Sequence, residues 1–195
     1  ESDVYGIRFG GLFGYNHDVY GLDLGVAEVC SGGFRGLQVS ALSWVDNDNV
    51  YGVQAGALAN VVNACTKALQ VAPLNVVWEE ALGAQLGLVN VTTEFCGLQL
   101  GGLVNWNDLA SYGLQLGAVN ANQQEFYGWA FGGLVNYADS FNGFACGLVN
   151  VAYDVKGCQL GVFNACDHMH GVQFGLVNLI CESKLPIMVL CNAWF

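Results

Sequence analysis

Positive charge is what this chain has least of. Lys and Arg together number five against sixteen Asp and Glu, a formal net charge of -11 over 195 residues. Nucleic acid must be met by clustered cations, and an anionic membrane surface by a basic patch, so the charge balance argues against both partners. Proline is nearly missing: only Pro73 and Pro186 occur. Threonine stands only at Thr66, Thr92 and Thr93, too few for the flat threonine array of an ice-binding surface. No stretch approaches ~18 uninterrupted apolar residues, which excludes a transmembrane helix. No basic, apolar leader opens the sequence, so Glu1 reads as the start of a processed chain or of one that carried no leader. None of the seven serines sits in a nucleophile elbow, and nothing in the sequence pushes paired carboxylates apart in pKa. The expectation is a protein that is not an enzyme and that needs no cofactor.

What the chain has in abundance is glycine, 27 residues, and apolar side chains, 54% of the total. Both belong to a phrase of the form Gly-Leu-Gln-Leu-Gly-Leu-Val-Asn that returns thirteen times. Its first position falls at Gly6, Gly21, Gly36, Gly52, Ala68, Gly83, Gly97, Gly113, Gly128, Gly143, Gly157, Gly171 and Leu185, and a closing Asn recurs from Asn60 to Asn192. Counting that first residue as position 0, positions 1 and 3 are apolar while positions 0, 2 and 4 read Gly-Gln-Gly. Such alternation is a β-strand signature. Two glycines in five residues, at about 1 kcal/mol each, nearly exclude helix.

A period of 14–16 residues is too short to bury an apolar face alone, so neighbouring repeats must stack. The favoured architecture is all-β, a parallel β-solenoid of about thirteen coils forming a single repeat domain over 1–195, with the atypical last repeat, 185–195, as a cap. Equal positions have a reason to match only when they touch, and the Asn series would then form an amide ladder. The residues at positions 1 and 3 (Leu98, Leu100, Leu114, Leu116, Leu160, Phe174) are expected to point inward. The alternative is an up-and-down β-barrel with one strand per repeat, in an outer membrane, where Tyr51, Tyr112, Tyr127, Trp106 and Tyr137 would form aromatic girdles and Phe195 would end the last strand. Against it stand the odd repeat number, the equally short connections at both ends, and a lumen face too small to fill a barrel.

The repeat wording, the Val-Tyr-Gly-Leu-Asp-Leu-Gly opening at 19–25 and the closing phrase from Pro186 to Phe195 resemble a family of bacterial surface-repeat proteins with tandem VNGLQLGLVN-type repeats. The resemblance covers nearly the whole chain. It implies an exported, envelope-associated protein and carries no catalytic or ligand residue across.

Candidate sites are few. Most acids fall at positions 10 to 12, which on a solenoid makes one acidic edge. It reads first as a solvated edge that keeps the stack soluble, and second as a row of weak divalent-cation sites with Asp108, Asp139 and Asp154 as ligands. Cys166, His168 and His170 are the one crowding of soft and nitrogen ligands, a candidate transition-metal site; His17, beside Asp18, reads as a turn residue. Eight cysteines in irregular spacing make no zinc or redox motif and point to an oxidising envelope compartment. Cys166 and Cys181, 15 residues apart and so about one coil, are within disulfide reach in a parallel stack. The flat Gly-Gln-Gly face, at Gly97, Gln99, Gly101, Gly113, Gln115 and Gly117, is the expected surface for self-association into a homo-oligomer or filament. The function expected is structural or adhesive, in the cell envelope or outside the cell, with membrane association and a porin or anchor role following from the barrel alternative.

Overall fold

The computed structural model describes residues 3–194; Glu1, Ser2 and Phe195 lie outside. Among the described residues every regular element is a strand: β1 (Val4–Asn16), β2 (Val19–Cys30), β3 (Phe34–Val45), β4 (Val50–Val62), β5 (Thr66–Val71), β6 (Leu74–Asn107), β7 (Ser111–Ile180) and β8 (Ile187–Trp194). No helix is long and apolar enough to cross a membrane. The chain divides into two compact units, Glu1–Leu100 and Gly101–Phe195.

In unit 1 the sequence register is the stacking register. Gly6 pairs with Gly21, Gly21 with Gly36, Gly36 with Gly52, Gly52 with Ala68 and Ala68 with Gly83, all in parallel. Bulges between Phe9 and Gly11 and between Ser40 and Leu42 take up differences in repeat length. Unit 2 stacks in the same sense: the Phe126 and Phe141 rings lie 5.1 Å apart on successive coils, and Tyr112 stacks on Tyr127 at 5.0 Å. The protein is a parallel β-solenoid. The up-and-down barrel is excluded, because its consecutive strands would run antiparallel, and the tyrosines form columns along the stack rather than girdles. The expected number of coils is also corrected. The described residues form eight strands, with β6 and β7 each continuous through more than one repeat, and the last repeat is no coil at all. Its strand β8 runs antiparallel to the end of β7, so Asn192 falls opposite Gln173 and outside the Asn series.

The strand faces are the reverse of the sequence expectation. Leu116, Leu160 and Phe174 are exposed and Leu98, Leu100 and Leu114 only half-buried, whereas every glutamine at position 2 is buried. A typical coil turns four side chains inward. One, two residues before the glycine, is apolar (Val19, Phe34 and Val50 in unit 1; Phe126, Phe141, Val155 and Met169 in unit 2). The second is the glutamine, the third the closing asparagine, and the fourth lies two residues beyond it, as Val45, Val62 and Val77 or Ala138, Ala152 and Ile180.

Hydrogen bonding is the reason. Coils ~4.8 Å apart bring equivalent amides into direct reach. In unit 1, Gln54 Nε2 donates to Gln38 Oε1 at 3.0 Å, and Gln70, Gln85 and Gln99 each donate to the coil before at 2.9 Å. The asparagines run the opposite way. Asn60 donates to Asn75 and Asn75 to Asn90 in unit 1, and in unit 2 the series Asn105, Asn120, Asn136, Asn150, Asn164, Asn178 donates coil by coil at 2.8–2.9 Å. A buried amide is costly only when unsatisfied, so the ladders make the amide face the interior one. The same fact overturns the Gly-Gln-Gly face as an association surface: Gln99 and Gln115 are fully buried, Gly101 is buried and Gly97 and Gly117 half-buried, and Gly113 alone of the six is exposed.

Interrupting the ladder from one side is therefore expected to destabilise. Gln70→Leu leaves Gln54 Oε1 without its donor and Gln85 Nε2 without its acceptor, for a loss of roughly 1–3 kcal/mol in a urea titration. An unchanged midpoint would show that the ladder contributes nothing. The chain itself breaks this column at Ala130 and Ala145 together, and there Gln115 and Asn122 satisfy each other reciprocally at 3.1 and 3.0 Å.

Candidate functional site

Three charged side chains occupy interior positions in the first coils. Arg8 and Asp23 stand at position 2, where later repeats have glutamine, and Glu28 at position 7, where they have asparagine. Arg8 Nε lies 3.3 Å from Asp23 Oδ1, and its Nη2 pairs with Glu28; both carboxylates are fully buried. Asp23 Oδ2 accepts from Gln38 Nε2 at 3.1 Å, so a carboxylate, which can only accept, ends a ladder in which every amide donates toward it. Burial raises the Asp23 pKa, opposed by the Gln38 hydrogen bond and the Arg8 charge. Sequence reading passed over this cluster, although a charge at a position that elsewhere carries an amide was its visible signal.

The sites expected from sequence are not assembled. Cys166 is buried and His170 exposed, while His168 turns outward to Glu182 at 2.8 Å and packs edge-on against Tyr153. Cys166 and Met169, three residues apart, both face inward, so the alternation that would put Cys166, His168 and His170 on one face is broken between them. Asp108, Asp139 and Asp154 share the acidic edge without converging. Asp108 accepts from Trp106 Nε1 at 2.7 Å and Asp139 from the Tyr137 hydroxyl at 2.8 Å. Among the described residues, the group whose potential metal-ligand atoms fall within 4.8 Å of one another is Asp3, His17 and Asp18. There Asp18 Oδ1 accepts from the Gly33 amide at 2.7 Å, and His17 Nδ1 lies 3.3 Å from Ser31 Oγ.

The Cys166–Cys181 disulfide is corrected as well. Local coils are 14 residues long, not 15, and the Cys181 amide bonds the Cys166 carbonyl at 3.0 Å. In that pattern Ile180 sits over Cys166, while Cys181 sits over Asp167 and is exposed. One thiol points in, its neighbour points out, and both are free, as are the other six. Burial pushes the Cys30 and Cys166 thiols up to about 12, and the Asp167 carboxylate raises Cys181 by hydrogen bonding. Alkylation follows the thiolate, so brief treatment with iodoacetamide at pH 8 is expected to modify exposed Cys96 and spare Cys30 and Cys166 until the chain is unfolded. Peptide mass spectrometry reads the order, and Cys166 labelling as fast as Cys96 would contradict its inward placement.

Two outer surfaces remain. On the acidic side of unit 2 an open cleft of about 630 Å³ is lined by Glu125, Asp139, Asp154 and Asp167 around Tyr137 and Tyr153. The hydrogen bond to Asp139 raises the Tyr137 pKa, as the bond to Glu125 raises that of Tyr127. On the other side, positions 1, 3, 5 and 6 carry no charged residue in any repeat from Gly6 to Val177. Ile7, Leu58, Trp129, Leu134 and Leu176 are among the large apolar side chains exposed there. No family model, no curated protein and no solved structure matches this chain.

Proposed function

We propose that this chain is a non-enzymatic structural repeat protein of the bacterial cell envelope that self-associates, serving as scaffold or adhesive layer. The charge-free apolar outer surface of each unit supports this reading most directly. Soluble monomers rarely expose more than a few hundred Å² of contiguous apolar area, and here such side chains recur coil after coil. The repeat wording supports export to the envelope. A net charge of -11 disfavours nucleic acid and anionic lipid as the covering partner. The porin reading falls with the barrel that it needed.

Sedimentation velocity at micromolar concentration without detergent tests the reading. Oligomers that grow with concentration are expected. A monodisperse monomer under those conditions overturns self-association.

A further inference from the structure

The apolar side of unit 2 is not flat. A groove of about 470 Å³ runs along the stack, floored by Gly132, Gly147 and Gly161. Phe131, Cys146 and Leu160 form one wall, and Leu148 and Val162 stand on the other. Glycine is required at the floor: a Cβ at Gly147 would press on the Gly132 carbonyl, the Asn136 amide nitrogen and Asn150 Oδ1, and one at Gly161 on the Gly147 carbonyl and the next pair of asparagines. The ladder that holds the interior thus leaves bare backbone along the outside. Beside this floor the next column, Leu148, Val162 and Leu176, rises as a ridge, each member 46% or more exposed.

We propose that this groove receives the Leu148–Val162–Leu176 ridge of a second copy of the chain. This seat rests on the self-association reading and supplies its contact surface. Groove and ridge share the coil spacing of ~4.8 Å, so a ridge that fills every segment must present apolar groups at the same interval, which a second copy does. Because groove and ridge lie side by side on one face, a two-fold arrangement seats each ridge in the other groove, the self-complementary geometry of a closed dimer. The face carries no charge, while most of the acids that would repel between two copies fall at positions 10 to 12 of the coil. Eleven large apolar side chains of unit 2 on this face are 37% to 61% exposed. At roughly 80 Å² each, taken from side chains of ~150–250 Å², they offer on the order of 900 Å², matching the ~800 Å² per partner of a standard interface.

Sedimentation velocity of the full chain decides the matter, with Leu148→Lys and Val162→Lys as two separate groove variants and Gln124→Lys, an exposed position on the acidic side, as control. Each groove variant is expected to raise the dissociation constant tenfold or more while keeping the β circular dichroism of the parent, and Gln124→Lys to leave it unchanged. In the unmodified protein, Cys146 in the groove wall should react with a bulky maleimide more slowly as concentration rises, relative to exposed Cys96. Oligomers undiminished in both groove variants, with Cys146 labelling independent of concentration, overturn the groove and leave self-association standing. A parent chain that stays monomeric overturns both. Partition of a monomeric parent onto phosphatidylcholine vesicles overturns the second copy in favour of lipid.

Discussion

Gly143→Val is expected to cost roughly 3–5 kcal/mol, enough to lower a thermal midpoint by many degrees or to prevent folding. Gly143 has φ +140, a region that L side chains rarely adopt and β-branched ones least of all. A Cβ there would also run into the backbone carbonyl of Gly128 on the coil before, and backbone cannot swing aside as a flexible side chain can. Strain and overlap act together. The chain supplies its own control in Ala68, which holds the same register position between Gly52 and Gly83. Among the described residues the one non-glycine with positive φ is Leu190, so Ala68 meets its position with a different backbone. It does so in β5, the shortest strand, followed closely by Pro73. Ala68→Gly should therefore leave stability within about 1 kcal/mol. Chemical denaturation of both variants gives the comparison, and a Gly143→Val protein as stable as its parent would refute the close-approach account.

Arg8→Met should lose a comparable amount, roughly 3–5 kcal/mol, because it strands two buried carboxylates without their cation. Asp23→Asn should do the reverse at neutral pH. An amide at that place still accepts from Gln38, as the glutamines of later coils do, and leaves Arg8 to Glu28 alone. The pH dependence has a definite sign. Asp23 is held above its unfolded value by burial, so its contribution to stability is fully present below the unfolded aspartate value of about 3.9 and is lost as pH rises through the raised one. The stability of the parent relative to Asp23→Asn should consequently fall between acid and neutral pH. A difference that grows with pH would mean that Arg8 outweighs desolvation and that the folded pKa is lowered instead.

These two experiments probe features of unequal visibility. The glycine column was legible, since a residue recurring every 14–16 positions in a stacked chain marks a place where each coil touches the next. The interior carboxylates were not. Asp23 and Glu28 fall outside the acidic edge and carried no expectation until the structure placed positions 2 and 7 inside. Cys166 and Cys181 show how finely the register matters: a coil one residue shorter than assumed sent one thiol inward and set the other over Asp167.

The sequence by itself determined that this protein is all-β and that neighbouring repeats must pair, and it favoured a parallel stack with asparagine ladders over an up-and-down barrel, because equal positions have a reason to match only when they touch. The alternation along each strand was equally plain. Which side of that alternation faces inward was decided only by the tertiary structure. Single-residue hydropathy places leucine inside and glutamine in water. Stacking at ~4.8 Å gives most of the interior glutamines and asparagines a partner on the neighbouring coil and removes the penalty for burying them. A ladder does not exist within one repeat. It forms between repeats, and once formed it turns the leucines outward.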